Sequence, residues 1–322
     1  MTRKDFCRWM AYGLGRKMID FIDFMTGIMP LPVLYGFGRF LGSMGYMFGS
    51  RHRKIALESL AMAFGKTKTP QEIRRIAREC FYTMSASAVE FFYFMRSKKR
   101  ILKYVTIEGA EHLKAALAEG KGVVAISAHF GSFPLLLSRL SLEGFNVNAV
   151  MRHMRDPKMD EYFESKRKVM DVGSIYTQPR QACVSDSLRA LRGNEVLFVQ
   201  LDQNFGTGGV FVDFFGVKAA TATGPIIFSL RTGAPLVPMF IYRIKGPYHH
   251  IVIEPARHIR DDGTKSRHER IVDTVADLTV LIESYIRKYP HEWGWIHKRW
   301  KARPKEEQQT ATDEASMAVS LD

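Results

Sequence analysis

Short apolar stretches alternate with longer amphipathic ones between residues 123 and 201, and this rhythm constrains the fold more than any other feature. The predicted strands are Val123–Ser127, Val147–Met151, Ser174–Thr177 and Val196–Leu201, and the helices between them are Pro134–Glu143, Lys158–Met170 and Gln181–Leu191. Apolar strands separated by helices are typical of a parallel sheet covered on both faces. We therefore predict an α/β fold with a mostly parallel central sheet flanked by helices.

The same pattern continues toward the C-terminus and sets the predicted domain limits. Further strands are expected at Leu236–Tyr242 and His250–Ile253, followed by a long helix at Arg270–Tyr289. We assign residues 51–304 to one α/β domain. Residues 305–322 are polar and acidic, and we expect this tail to be disordered.

The N-terminal segment, residues 1–50, differs in composition from the rest. Residues 24–38 carry no charge, but the stretch contains Pro30 and Pro32 and ends at Arg39, which makes it too short and too broken for a confident membrane-spanning helix. Basic residues flank it, so we favour an interfacial or embedded helical segment that contacts a membrane. The alternative is that this segment packs against its own domain.

The charge balance points to anionic partners. The chain has 47 Lys and Arg against 33 Asp and Glu, a net charge of +14, and the acidic tail raises the surplus of the remainder to +18. Nucleic acid, an anionic membrane and acidic carriers or substrates are all compatible with this surplus. No nucleic-acid-binding motif is present, so we expect no nucleic-acid partner. The three cysteines lack metal-ligand spacing, and we expect reduced thiols and no metal site.

A histidine follows the first predicted strand of the alternating region. In open α/β sheets, ligands bind beyond the carboxyl ends of the strands, and His129 lies two residues after Ser127. Gly131 permits a tight turn, Ser132 is a candidate helix cap and Pro134 suits a first helical turn. Free N–H groups at Gly131 and Ser132 are candidates for binding an anionic group or an oxyanion of the substrate. The competing interpretation is a structural histidine.

Several blocks of the sequence resemble one protein family. His129-Phe130-Gly131-Ser132-Phe133 is similar to the His-Phe-Gly-Asn-Trp-Glu block of the bacterial lipid A late acyltransferases (lauroyl/myristoyl acyltransferases). Asp202-Gln203 followed by the stretch 209–216, then 219–225 and 231–238, resembles further blocks of that family. Residues 290–300 resemble its Pro-x-x-Trp-x-Trp-x-His-x-Arg-Trp signature. Together these blocks cover most of residues 50–304, in order.

The resemblance implies a fold, an activity and partners. It implies a glycerolipid-acyltransferase-like fold and transfer of a fatty acyl chain from an acyl-carrier-protein thioester to a hydroxyl of an anionic lipid A precursor. His129 would be the general base, with acyl carrier protein as partner and no cofactor besides the acyl donor. It also implies a location at the cytoplasmic face of the bacterial inner membrane. Acyl chain length, acceptor position and oligomeric state stay open.

One departure from the family pattern concerns the partner of the histidine. The related His-x4-Asp/Glu motif places a carboxylate five residues after the histidine, and Pro134 stands there instead. Asp202, at the end of the strand Val196–Leu201, is our candidate replacement, because adjacent strand ends converge in such sheets. The alternatives are an unassisted His129, a chain that has lost catalysis, and a merely loop-capping Asp202.

Arg152 and two aromatic clusters have two interpretations each. Arg152 follows the strand Val147–Met151 and resembles a family arginine, so we predict that it binds a substrate phosphate; the alternative is a salt bridge to Asp156 or Asp160. The phenylalanines Phe211, Phe214 and Phe215 form either an acyl channel or plain core. The tryptophans and cations of residues 293–301 form either an interfacial belt or packing.

Two further hypotheses about the function stay open beside that of a lipid A acyltransferase. The chain could acylate another lipid, such as a lysophospholipid or a glycolipid, or it could be a catalytically impaired lipid-binding homologue. The loss of the acid at Pro134 is the feature that favours the second of these.

Overall fold

The central sheet orders its strands so that the two candidate catalytic segments are neighbours. The structure is a computed structural model and describes residues 3–261 and 263–304. Its strands are β1 (Val105–Glu108), β2 (Val123–Ser127), β3 (Val147–Met151), β4 (Val172–Tyr176), β5 (Val196–Gln200), β6 (Val210–Phe214), β7 (Val217–Thr221), β8 (Leu236–Lys245) and β9 (Tyr248–Ile253). The main sheet runs β1-β9-β8-β2-β5-β3-β4, and β6 pairs with β7 in a separate hairpin. Only β8 and β9 pair antiparallel within the main sheet. The predicted mostly parallel sheet is confirmed.

Helices cover both faces of this sheet. They are α1 (Arg3–Ile28), α2 (Leu31–Phe48), α3 (Ser50–Phe64), α4 (Pro70–Met95), α5 (Lys98–Tyr104), α6 (Ala110–Leu117), α7 (Phe133–Leu142), α8 (Pro157–Val169), α9 (Arg180–Arg192), α10 (Gly224–Thr232) and α11 (Arg267–Lys288). All five residues of β2 are buried, as a central strand between two helical layers requires. A 3-10 turn, Pro290–Glu292, then returns the chain to the carboxyl end of β2.

The N-terminal segment forms two helices that pack against the α/β domain. Gly42 of α2 lies so close to α4 that an added Cβ would meet Tyr82 at 2.9 Å, and hence a glycine fits this contact. Arg16 of α1 makes a bidentate ion pair with Asp156 at the start of α8. Within the described residues, no helix combines the length and the apolar character that crossing a membrane requires. The predicted acidic tail, 305–322, lies outside the described residues.

Candidate active site

The parallel register of β2 and β5 brings His129 and Asp202 together. Ser127 lies opposite Gln200 in the ladder, so the residues two positions further on, His129 and Asp202, leave the sheet side by side. His129 Nδ1 lies 2.9 Å from Asp202 Oδ1, and the His129 backbone N–H donates to Oδ2 over 2.9 Å. The carboxylate partner of His129 is therefore Asp202, as the sequence analysis predicted.

Asp202 is ionised despite its complete burial. Burial by itself would raise the pKa of this carboxyl, but the attraction of His129 and the hydrogen bonds from His129 and Trp293 outweigh it and lower the pKa to about 2. The Trp293 indole Nε1–H donates to Oδ2 over 2.7 Å. An ionised carboxylate only accepts hydrogen bonds, so His129 Nδ1 carries the proton and Nε2 carries the lone pair in the neutral ring.

The Nε2 side of His129 faces outward. About a quarter of the His129 side chain is exposed, at 26%, whereas the Asp202 side chain is fully buried. The Gln203 side-chain amide lies 3.0 Å from Nε2. This geometry suits a general base, because a buried acid fixes one ring nitrogen and only the exposed Gln203 amide contacts the other among the described residues.

The segment after the 3-10 turn completes the wall of the site. The Gly294 N–H donates to the His129 carbonyl over 3.2 Å, and the His297 ring lies edge-on to the His129 ring, with centroids 5.2 Å apart. Burial, with a smaller contribution from the neighbouring His129, lowers the pKa of His297. Arg299 is buried and donates to the Gln203 and Ala220 carbonyls.

The turn between β2 and α7 contains Gly131, Ser132 and Pro134, and these residues shape the backbone next to His129. Gly131 adopts a φ of +57°, and its N–H donates to the Glu292 carbonyl over 2.9 Å. Pro134 sits in the first turn of α7, where a missing N–H is tolerated. Ser132 is buried at the N-cap position of α7, as expected, but its hydroxyl makes no capping bond within the described part of the chain. The expectation of a free N–H at Gly131 is therefore wrong, while substrate binding at Gly131 and Ser132 stays a prediction.

Arg152 is exposed at the carboxyl end of β3. Its suggested salt-bridge partners are engaged elsewhere, because Asp156 pairs with Arg16 and Asp160 bonds His153. Among the described residues Arg152 makes no ion pair, and the salt-bridge interpretation is wrong. β5 lies between β2 and β3, which sets these strand ends about 10 Å apart. Phosphate binding by Arg152 stays a prediction.

The aromatic clusters are mostly core. Phe214 and Phe215 are buried and pack against the tryptophan segment. Trp293, Trp295 and Arg299 are also buried, so an interfacial belt is wrong for these residues and packing is right.

Four residues of this wall were not among the predicted site residues: Trp293, Gln203, His297 and Arg299. All four lie inside motif blocks, and that placement was the available signal. The contacts of Trp293 with Asp202 and of His297 with His129 depend on how the distant C-terminal segment returns to β2, which the local sequence does not encode.

Comparison with known proteins places this α/β fold among the O-acyltransferases. A model of the family described as bacterial lipid A biosynthesis acyltransferase matches residues 18–302, and the chain belongs to that family. The lipid A biosynthesis lauroyltransferase of Escherichia coli (strain K12) is 26% identical over 289 residues, 86% of this chain and 88% of the relative.

Two further relatives show the range of the similarity. The lipid A biosynthesis palmitoleoyltransferase of the same strain is 27% identical over 86% of this chain and 87% of its own. A phosphatidylinositol mannoside acyltransferase of Mycobacterium tuberculosis (strain CDC 1551 / Oshkosh) is 25% identical over 61% of this chain and 60% of its own. The chain is thus a lipid acyltransferase of lipid A biosynthesis type.

Proposed function

We propose that this enzyme transfers a fatty acyl chain from an acyl-carrier-protein thioester to a hydroxyl of a lipid A precursor, with His129 as general base. The observation that carries the proposal is the hydrogen bond from His129 Nδ1 to the buried, ionised Asp202, which leaves Nε2 directed outward. The names of the two Escherichia coli relatives support the acceptor class.

The reaction follows from this arrangement. The acceptor hydroxyl donates its proton to His129 Nε2 while its oxygen attacks the thioester carbonyl carbon, and the carbonyl oxygen becomes an oxyanion. Asp202 stabilises the imidazolium that forms. The oxyanion collapses, the C–S bond breaks, and the thiolate takes the proton from Nε2, so the products are an ester and a free thiol. No cofactor enters these steps.

The interpretation as an impaired, merely lipid-binding homologue rested on Pro134. The oriented His129–Asp202 pair favours an active enzyme, because a carboxylate fixes the tautomer of a histidine whether it comes from the same turn or from a neighbouring strand. A glycolipid acceptor other than a lipid A precursor is the second candidate, and the mycobacterial relative favours it.

The proposal includes a membrane location, at the cytoplasmic face of the bacterial inner membrane, for a fold of glycerolipid-acyltransferase type. Large apolar side chains of α1 and α2 are exposed, among them Phe24, Ile28, Phe40 and Phe48. Apolar surface of this kind on two adjacent helices, in a chain with a net charge of +14, suits contact with an anionic lipid surface.

A direct assay separates the candidates. Purified full-length enzyme receives an acyl-carrier-protein thioester and, in parallel, a lipid A precursor, a lysophospholipid and a phosphatidylinositol mannoside. We expect ester formation on the lipid A precursor and a loss of about 10³-fold or more in His129→Ala. Turnover of the other acceptors alone would contradict the acceptor assignment, and full activity of His129→Ala would contradict the base.

A further inference from the structure

The side-chain amide of Gln203 occupies the catalytic lone pair of His129. The two groups lie 3.0 Å apart, and the proton on Nδ1 belongs to the bond with Asp202. Nε2 of the neutral ring is therefore an acceptor, and the amide N–H of Gln203 donates to it. In the resting enzyme a donor from the protein thus holds the position that the acceptor hydroxyl must take.

The Gln203 backbone is fixed while its side chain is free to move. The Arg299 guanidinium, itself buried, donates to the Gln203 carbonyl over 3.0 Å and to Thr221 Oγ1 over 2.6 Å. The Gln203 side chain is exposed, and within the described residues its one hydrogen bond is the bond to His129. Rotation about the side-chain bonds can therefore release Nε2 without moving the backbone.

The reaction places an oxyanion next to the position that the amide leaves. A single lone pair binds one donor, so an incoming hydroxyl displaces the Gln203 amide. The oxygen that attacks and the oxygen that becomes the oxyanion are then bonded to the same carbon. The Gln203 amide lies in the resting enzyme where the attacking oxygen will lie. It therefore needs only a small rotation to reach the oxyanion.

Two backbone donors close to the base are already engaged, and within the described residues the Ser132 N–H, at the start of α7, is left without an acceptor. The Gly131 N–H donates to the Glu292 carbonyl, the Gly294 N–H donates to the His129 carbonyl, and Pro134 has no N–H. Few backbone donors therefore remain for an oxyanion at this end of the sheet, and a side-chain donor would add to the Ser132 N–H.

We propose that Gln203 is a further catalytic residue, which holds His129 Nε2 in the resting enzyme and donates to the oxyanion once the acceptor hydroxyl displaces it. The inference rests on the proposed function, in which the hydroxyl proton passes to Nε2 and the thioester carbonyl oxygen takes the negative charge. Gln203 itself gains and loses no proton in this step.

Steady-state kinetics of Gln203→Met test the role in the transition state. Methionine keeps the length of the side chain and removes its N–H donors, so we expect kcat to fall about tenfold to a hundredfold while KM for the acceptor does not rise. Gln71→Met, at an exposed glutamine of α4, is the matched control and should keep wild-type kinetics. A wild-type kcat in Gln203→Met, or a loss confined to KM, overturns the proposal.

Gln203→Glu gives a readout that a structural role would not move. A carboxylate beside Nε2 favours the imidazolium, so the acidic limb of the pH profile of kcat/KM should move to higher pH by about one unit or more. The same change at Gln71 should leave the limb in place. An unshifted limb in Gln203→Glu contradicts the contact on which the proposal depends.

A measurement without turnover separates this proposal from the proposed function. In ¹⁵N spectra of the full-length protein, the His129 Nε2 resonance should shift between wild type and Gln203→Met, and identical resonances overturn the resting contact. If the wild type turns over and Gln203→Met has the same kcat, only the catalytic role of Gln203 is contradicted. Absence of any turnover by the wild type contradicts the proposed function and the catalytic role together.

Discussion

The partner of His129 comes from a different strand rather than from the same turn. Pro134 occupies the position of the motif acid, and Asp202 supplies the carboxylate from the end of β5. What the chemistry requires is an ionised acid within hydrogen-bonding distance of Nδ1, and the parallel ladder of β2 and β5 provides this. The distance in sequence between His129 and Asp202 does not affect this hydrogen bond.

Trp293 is expected to tune this acid. Trp293→Phe removes the 2.7 Å bond to Asp202 Oδ2 and keeps an aromatic ring in the core, so the carboxylate loses orientation and kcat should fall about tenfold. Trp295→Phe is the control, because the Trp295 indole N–H donates to the Pro290 carbonyl and not to the acid. Equal kcat values in the two variants would argue against a role for Trp293 in the dyad.

Some contacts of the site could be predicted from the sequence and others could not. Asp202 could be predicted, because parallel strand ends emerge on one edge of a sheet and each strand was visible as an apolar run. The bond from Trp293 could not, since it depends on the return of a segment 91 residues away in sequence. The sequence left Arg299 open between an interfacial belt and packing, because burial of a guanidinium needs acceptors that only the folded chain supplies.

At the scale of elements, the turn from β2 to α7 sets the position of the base. Gly131 has a φ of +57°, and a Cβ there would meet the Ile241 carbonyl oxygen at 1.9 Å. Glycine is therefore required by backbone conformation and by the approach of β8 together.

Gly131→Ala should destabilise the protein more than a matched glycine substitution. Gly144, just beyond α7, has a φ of +89° with no atom within 4 Å of an added Cβ, so Gly144→Ala carries only the conformational cost of about 1 kcal/mol. Gly131→Ala adds a backbone clash, and we expect a cost of about 3 kcal/mol or more, with reduced activity. Urea unfolding of both variants measures the difference, and equal values would contradict the packing argument.

Strands with a strong local pattern of apolar residues were predicted correctly, and strands with a weak pattern were not. β2 and β3 have the predicted bounds, because each is a mostly apolar run between turns. β1 was missed, since Val105–Glu108 is short and half polar. The hairpin of β6 and β7 was noticed only as a motif, because its pairing outside the main sheet has no signal in local periodicity.

At the scale of the whole molecule, buried charges join the N-terminal helices to the sheet. Glu90 of α4 bonds Arg243 of β8 and the Tyr35 hydroxyl of α2. Burial alone would raise the pKa of Glu90, but His249 and Arg243 outweigh it and lower the pKa to about 2. Glu292 lies near this group, and its carboxylate oxygens have no hydrogen-bond partner in the described part of the chain. Burial, opposed by Arg243 and reinforced by Glu90, raises the pKa of Glu292 to about 7.

The raised pKa of Glu292 predicts a pH dependence of stability. The folded state favours the protonated acid, so the stability that it contributes is present at low pH and is lost as the pH rises through about 7. Glu292→Gln imitates the protonated acid. The wild type should therefore lose stability between pH 5 and pH 8, and Glu292→Gln should not. The difference in free energy of unfolding, Glu292→Gln minus wild type, should rise by about 2 kcal/mol over this range. A difference that does not change with pH would show that Glu292 does not titrate in this window.

The exposed apolar faces of α1 and α2 predict membrane binding. Phe24 and Val280 are exposed to a similar degree, 61% and 62%, but Val280 lies on α11 in the α/β domain. Phe24→Ser should weaken binding to vesicles of phosphatidylglycerol and phosphatidylethanolamine about tenfold, because its ring leaves a lipid contact. Val280→Ser should bind as the wild type does. Equal binding by both variants would contradict a membrane contact through α1.

The pairing of His129 with Asp202 is the central claim, and the turnover of Asp202→Asn tests it most directly. Asparagine keeps the size of the side chain but removes the charge that fixes the Nδ1–H tautomer and stabilises the imidazolium. With an acyl-carrier-protein thioester and a lipid A precursor, we expect kcat to fall about 10³- to 10⁴-fold with little change in KM for the acceptor. A kcat for Asp202→Asn within twofold of the wild-type value would contradict the account.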